Sequence, residues 1–138
     1  VLILFDIKHY AQVVEVIEAL KADGKSVTAW TVRHRNQVHM LPVNIKVVDE
    51  RKDLSITQAI SPQILNEFES LKYDTLIDFS LPDDYIFEYL LASNKSRFCI
   101  GVRETPNIKL YDFIMRKPVN DSLLDIFEEM NYYLESMK

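Results

Sequence analysis

The chain alternates short, wholly apolar runs with longer stretches in which apolar residues recur every three to four positions. The first run, residues 1–5, is typical of a strand buried on both faces. Residues 9–22 carry a helical apolar stripe, and Gly24 follows as the expected C-terminal cap. Residues 27–32 indicate a second strand. The pattern therefore predicts a strand–helix–strand unit with parallel strands and a right-handed connection.

The same alternation continues to the end of the chain. Further strands are predicted at residues 45–48, 75–79, 98–102 and 111–115. Further helices are predicted to begin at Ser61-Pro62, at Ser80 with Asp83 completing a capping box, and at Asn120 or Asp121.

Six strands alternating with helices predict a single three-layer α/β domain over residues 1–138. We expect a mostly parallel sheet in the Rossmann-like order 3-2-1-4-5-6, with the flavodoxin-like order as the alternative. The strand at 1–5 is the most continuously apolar, so we predict it at the centre of the sheet, between the second and fourth strands. Because the chain opens in mid-strand without a methionine, we expect that native residues precede Val1.

Glycine is scarce, and this narrows the choice of ligands. The chain has two glycines where an average composition would give about ten. Neither the glycine-rich dinucleotide fingerprint nor the phosphate-binding loop is present. We therefore expect no nucleotide cofactor. The net charge of -5 also disfavours nucleic acid as a partner, because binding a polyanion needs a basic surface.

Other features indicate a cytoplasmic protein without a metal. No apolar run approaches the ~20 residues of a membrane span, and no secretory leader pattern opens the chain. The single cysteine, Cys99, lies in an apolar strand and reads as an inert buried thiol. The three histidines, His9, His34 and His39, lack the spacing of zinc ligands, so no metal site is expected.

Four stretches carry a resemblance to known families. They are 73–80 (YDTLIDFS), 90–95 (LLASNK), 97–102 (RFCIGV) and 111–114 (YDFI). Together they resemble a family of small bacterial α/β proteins of unknown function, which pairs a Leu-Ile-Asp-x-Ser strand with a later Tyr-Asp strand. More distantly, residues 1–103 resemble the N-terminal half of heptosyltransferase-type glycosyltransferases.

The glycosyltransferase resemblance implies the fold and a possible sugar or nucleotide-sugar substrate. Those enzymes hold the sugar nucleotide with a second Rossmann-like domain, for which 138 residues leave no room. They also have a glycine-containing loop after the first strand, whereas residues 6–9 here contain none. We therefore transfer the fold from the resemblance and no catalytic residue.

The best candidate for a binding site is the crevice at the carboxyl ends of the first and fourth strands, where the strand order reverses. The residues expected there are Asp6, Lys8 and His9 from the first strand, and Ser80, Asp83 and Asp84 from the fourth. Three carboxylates repel a highly charged anion, so a small polar ligand, neutral or singly charged, is favoured. In the alternative interpretation, these side chains only cap helices and pair at the surface.

Two hypotheses about function follow. The first is a non-catalytic α/β domain that binds a protein partner or a small polar ligand. The second is a diverged glycosyltransferase-like domain or an enzyme fragment that acts on a sugar or nucleotide-sugar. Tyr132 and Tyr133 cannot both face the sheet from the last helix, since adjacent helical residues point about 100° apart. One of them is a candidate contact for a homodimer.

Overall fold

The computed structural model describes residues 1–33, 45–50, 61–81, 85–93, 96–103, 113–116 and 122–136. The strands are β1 (Leu2–Asp6), β2 (Thr28–Arg33), β3 (Lys46–Asp49), β4 (Thr75–Leu81), β5 (Phe98–Arg103) and β6 (Phe113–Arg116). The helices are α1 (Tyr10–Ala22), α2 (Pro62–Glu69), α3 (Tyr85–Ala92) and α4 (Leu123–Ser136), and a 3-10 turn (Ile7–His9) precedes α1.

The six strands form one parallel sheet in the order β3-β2-β1-β4-β5-β6. This confirms the Rossmann-like order and excludes the flavodoxin-like alternative. The prediction that β1 is central is also confirmed, because β1 pairs with β2 on one side and β4 on the other. In this register Leu4 is the partner of both Trp30 and Asp78.

The two faces of the sheet have separate apolar cores. On the first face, Ile3 and Phe5 of β1 pack in a cluster with residues of α1 and α4. On the second face, Leu2 and Leu4 pack in a cluster with residues of α2 and α3. These four side chains of β1 have no exposed surface. Burying one such side chain contributes about 1.5–3 kcal/mol, so β1 anchors both cores.

The predicted end of α1 is confirmed. Gly24 has a φ of 79°, which a residue with a side chain rarely adopts. Its backbone N–H donates to the carbonyl of Lys21, and the N–H of Lys25 donates to the carbonyl of Leu20. This pair of bonds is the Schellman arrangement, and it satisfies two carbonyls at the helix end.

The predicted start of α2 is also confirmed. The Ser61 side chain accepts a hydrogen bond from the backbone N–H of Ile64, and Pro62 occupies the first helical position. Ile64 and Phe68 are buried against the second face of the sheet, and the Phe68 ring lies edge-on to Trp30 with the centroids 5.3 Å apart. The sequence therefore specifies both where this helix begins and how it docks.

The predicted start of α3 at Ser80 is wrong. Ser80 lies within β4, which extends to Leu81, and α3 begins only at Tyr85. Leu81 pairs with Arg103 of β5 beyond a register irregularity that follows Asp78. The pairing to β5 thus holds Ser80 in extended conformation, which a local capping pattern does not reveal. Asp83, the other member of that pattern, lies outside the described residues.

The predicted cap of α4 at Asn120 or Asp121 is also wrong. The helix begins at Leu123, and the side chain of Ser122 accepts a hydrogen bond from the N–H of Asp125 at 3.2 Å. The Leu123 N–H donates instead to the side-chain oxygen of Gln12 on α1, at 3.0 Å. The first turn of α4 is therefore capped partly by a residue 111 positions earlier in the chain.

None of the helices in the described part of the chain is long and apolar enough to cross a membrane.

The cap between helices gives a test of the α1–α4 contact. We expect Gln12→Ala to lower the free energy of unfolding by about 1 kcal/mol, because it leaves the Leu123 N–H without its acceptor. Urea denaturation measures the change. Gln12→Glu, which keeps an acceptor oxygen, and Gln63→Ala, on the exposed side of α2, are the controls. Equal losses for Gln12→Ala and Gln63→Ala contradict the capping role.

Candidate functional site

The predicted site lies where β1 and β4 end side by side. In a parallel sheet of this order the connections from these two neighbouring strands lead away in opposite directions, which leaves room between them for a ligand. The structure confirms that β1 and β4 are adjacent and parallel. The residues that follow β1 and those at the end of β4 therefore share one edge of the sheet, which we call the carboxyl edge.

Asp6 organises the first side of this edge. One of its carboxylate oxygens accepts a hydrogen bond from the backbone N–H of Lys8 at 3.0 Å. The other lies 3.8 Å from the ammonium group of Lys8, whose side chain is 61% exposed. Asp6 thereby caps the 3-10 turn Ile7–His9. The ion pair is worth little at this exposure, so the Lys8 ammonium is available to a ligand.

His9 ends the same turn and is half-buried. Its Nδ1 atom is buried, and the residue makes an interaction within the chain. The Nδ1 atom makes no hydrogen bond in the described part of the chain, so its hydrogen-bonding capacity is not used there. An imidazole next to a carboxylate-capped turn is suited to recognising a ligand by hydrogen bonding.

The β4 side of the predicted site is only partly described. The main chain of Ser80 runs in β4, adjacent to β1. Asp83 and Asp84 lie outside the described residues. The structure thus brings Asp6, Lys8 and His9 together on one turn and places the Ser80 backbone in the neighbouring strand, whereas the contribution of Asp83 and Asp84 stays a prediction.

The structure adds one residue that the sequence-based site omitted, Asp78 of β4. Its side chain has no exposed surface, although it is a carboxylate in the middle of the sheet. Asp78 pairs with Leu4 on one side and with Gly101 on the other, so it shares the second face with Leu4. Gly101 contributes no side chain beside it.

Asp78 and Asp6 belong to the same face of the sheet. Asp6 lies two residues beyond Leu4, the register partner of Asp78. Strand spacing then puts the two Cα atoms about 8 Å apart. Asp6 sits at the rim and Asp78 lies beneath it.

The sequence itself indicates that Asp78 is unusual for a buried strand. It is the single charged residue in the strand segment TLIDFS, at a position where alternation would place an apolar side chain. Acidic residues are almost never fully buried unless they are paired or functional.

The neighbouring strand ends are locked by polar contacts. Arg33 at the end of β2 donates to one carboxylate oxygen of Asp49 on β3, from Nη2 at 2.7 Å and from Nε at 3.2 Å. The Thr31 hydroxyl donates to the backbone carbonyl of Phe5 at 2.6 Å. These contacts hold β1, β2 and β3 at the carboxyl edge and so fix where Asp6 lies.

The described residues limit what chemistry the edge supports. Within these segments no three metal-ligating side chains come together. Cys99 on β5 is buried and is not part of a disulfide. The arrangement of Asp6, Lys8, His9 and Asp78 supplies hydrogen-bond acceptors and one mobile cation, which suits recognition of a polar molecule.

A cavity of about 800 Å³ lies at the opposite edge of the sheet, next to the amino ends of β1, β4 and β5. None of the candidate residues at the carboxyl edge lines it. The cavity and the candidate residues are therefore found at opposite edges of the sheet. We assign the candidate site by its chemistry, because an ionisable side chain buried within the sheet is a more specific signal than a concave surface.

Comparison with known proteins gives a family without a known activity. The chain belongs to the family of unknown function DUF6913, whose profile matches residues 1–137. No curated protein and no solved structure matches the chain. The family match confirms the resemblance to a family of unknown function, whereas the distant resemblance to glycosyltransferases stays a prediction.

Proposed function

We propose that this member of DUF6913 is a single, non-catalytic domain that binds a small polar ligand at the carboxyl edge between β1 and β4. The observation that carries the proposal is the fully buried carboxylate of Asp78 at this position. Residues 6–9 supply the rim of the site, and Asp78 supplies its deepest polar group.

The energetics of Asp78 support a role in binding. A carboxylate removed from water costs several kcal/mol unless polar partners compensate for it. Asp78 has an interaction within the chain, so it is held in position. An apolar residue would fill a purely structural position in this strand at less cost.

The charges at the edge select the ligand. Asp6 and Asp78 contribute two carboxylates to one face, and the ammonium group of Lys8 balances one of them. A diphosphate meets net repulsion at such a site, whereas a neutral polyol or a molecule with an amino group finds acceptors. We therefore propose a neutral or singly charged ligand with several hydrogen-bond donors.

Three further assignments accompany this proposal. We place the protein in the cytoplasm, because its single cysteine is free and buried, which is usual for a reducing compartment. A protein partner remains the second candidate, favoured by the exposure of Tyr132 on α4, at 72%. Aromatic residues are enriched at protein interfaces, and a second copy of the chain is one partner that this tyrosine could contact.

A sugar or nucleotide-sugar substrate is the competing proposal. It is supported by the strand order, which is that of nucleotide-binding halves of larger enzymes. The glycine-free turn Ile7–His9 counts against it, because its side chains occupy the place where a phosphate would approach the backbone.

The role of Asp78 is tested by an isosteric substitution. We expect Asp78→Asn to fold and to lose binding of small amines and polyols, because an amide group offers one acceptor atom where the carboxylate offers two. Titrations of the labelled protein with a panel of amino acids, small amines and polyols, followed by amide chemical shifts, measure binding. Shifts at residues 6–9 and 78–80 identify the site.

Asp74→Asn is the matched control. Asp74 precedes the same strand at its opposite end, and its side chain is 86% exposed. We expect this variant to bind as the unsubstituted protein does. If Asp78→Asn binds the panel normally but unfolds more easily, the carboxylate is structural and the proposal is wrong.

The contribution of residues 6–9 to ligand binding is tested by a substitution of His9. We expect His9→Ala to abolish binding of the panel compound that binds best and to leave the amide shifts of residues far from the turn Ile7–His9 unchanged, because this turn is confined to the carboxyl edge. If His9 only packs against its own turn, the substitution leaves that affinity unchanged. Chemical-shift titration of the two proteins under the same conditions decides between these results.

Nucleotides are the ligands that we expect not to bind. A ligand at one hundred times its dissociation constant stabilises a protein by about 2.7 kcal/mol, which raises the melting temperature by several degrees. We expect no such shift with millimolar NAD, ATP or a nucleotide sugar. A reproducible shift with a nucleotide sugar favours the competing glycosyltransferase-like proposal.

A further inference from the structure

The dipeptide Asp23-Gly24 at the end of α1 is the chemically most labile pair in the sequence. Asp23 is the only aspartate or asparagine of the chain that glycine follows. The carboxyl group of an aspartate can close a five-membered ring with the next backbone nitrogen, and glycine has no Cβ to hinder that approach. The sequence therefore points to this pair as a site of covalent rearrangement.

Both residues of the pair are open to solvent in the structure. Asp23 and Gly24 are exposed. Apart from the chain neighbours of Gly24, no heavy atom of the described chain lies within 4 Å of the position that a Cβ of this residue would occupy. The rest of the described chain therefore does not shield the peptide bond between them from a change in conformation or from water.

The conformation of the helix end holds the two reacting groups apart. The ψ angle of Asp23 is 6°, so the backbone nitrogen of Gly24 nearly eclipses the backbone nitrogen of Asp23 itself. Cβ of Asp23 projects about 120° away around the Cα–C bond, whereas ring closure needs Cβ and the Gly24 nitrogen on the same side. The N–H of Gly24 also donates to the carbonyl of Lys21 at 2.9 Å. Ring closure therefore requires this end of α1 to open.

The end of α1 opens at low cost. Beyond Asp23, the Schellman hydrogen bonds donated by the N–H groups of Gly24 and Lys25 close it. Residues 21–26 are all exposed, so no buried side chain adds to these bonds. Helix ends of this kind open locally with free energies far below that of global unfolding. The folded protein therefore contains a small population in which the helix end is open.

We propose that Asp23-Gly24 is a modification site, where an isoaspartyl linkage forms from the conformation in which the end of α1 is open. The Gly24 nitrogen attacks Cγ of Asp23, a C–N bond forms, and the amide proton leaves with the carboxyl hydroxyl group as water. Water then opens the succinimide. Attack at Cγ restores aspartate, whereas attack at the main-chain carbonyl carbon breaks the original peptide bond and leaves the main chain running through Cβ and Cγ. The mass is unchanged, and the reaction uses no oxidant and no cofactor.

The product cannot rebuild the helix end. An isoaspartyl linkage lengthens the main chain by one atom, and the bonds donated by Gly24 and Lys25 depend on regular backbone spacing. We therefore expect the converted protein to melt a few degrees lower than the unconverted protein. The linkage also leaves a free carboxylate on Cα of residue 23. The enzyme class that this exposed group suits is a methyltransferase that esterifies isoaspartyl carboxylates.

Incubation of the intact protein at physiological temperature and neutral pH tests the chemistry. Peptide separation with mass spectrometry, together with enzymatic methylation of isoaspartate, measures the conversion. We expect a product of unchanged mass at residue 23, and none in Asp23→Glu, whose longer side chain cannot form the five-membered ring. In guanidinium chloride, which removes the helix end, we expect conversion to be at least roughly tenfold faster.

Two glycine substitutions locate the step that controls the rate. Ala22→Gly loosens the last turn of α1, and we expect it to accelerate conversion roughly fivefold, because glycine disfavours the helical conformation by about that factor. Ala11→Gly makes the same change at an exposed position in the first turn and should leave the rate unchanged. Lys21→Gly repeats the test at the end of the helix, and circular dichroism verifies that each variant folds.

Three results overturn the proposal. They are equal acceleration by Ala22→Gly and Ala11→Gly, equal rates in the native and the denatured protein, and no isoaspartate at residue 23 under either condition. The proposal is independent of the carboxyl edge, because Asp23 and Gly24 lie at the opposite end of α1 from residues 6–9. Loss of ligand binding in Asp78→Asn therefore has no bearing on it.

Discussion

The structure depends on β1, which is paired on both edges and buried on both faces. Its four apolar residues, Leu2 to Phe5, have no exposed surface, and they alternate between the core under α1 and α4 and the core under α2 and α3. No other arrangement buries so apolar a strand as fully. Because β1 is central, β2 and β3 lie on one side of it and β4, β5 and β6 lie on the other. The direction in which the chain adds strands to the sheet therefore reverses between β3 and β4.

A parallel sheet separates the molecule into two edges of different chemistry. All strands end at the carboxyl edge, where Asp6, Lys8 and His9 form a capped turn and Asp78 is buried one layer deeper. All strands begin at the amino edge, next to the end of α1 and the middle of α4. The first edge offers hydrogen-bond acceptors to a polar molecule. The second offers a cavity of about 800 Å³, so the two edges differ in shape as well as in chemistry.

Asp78 is the charged residue that the apolar pattern of β4 does not explain. It lies between Ile77 and Phe79 in the strand and has no exposed surface, and a buried carboxylate costs more free energy than an aliphatic side chain unless polar partners compensate for it. Gly101, the register partner of Asp78 on β5, has no side chain to pack at the same place. A buried carboxylate next to a glycine on the adjacent strand distinguishes this part of the sheet from the rest.

The sequence by itself determined the elements whose causes are local. The apolar run at 1–5, the glycine after α1 and the Ser61-Pro62 start of α2 act over one or two turns, so their consequences were predictable, and the strand order followed from β1 being the most apolar strand. Tertiary structure decided what depends on distant partners. Ser80 reads locally as a helix cap, but pairing between β4 and β5 keeps it in a strand. The start of α4 is set partly by Gln12, 111 residues away, and no local pattern encodes such a contact. The burial of Asp78 arises in the same way, because only the assembled sheet and its covering helices remove that carboxylate from water.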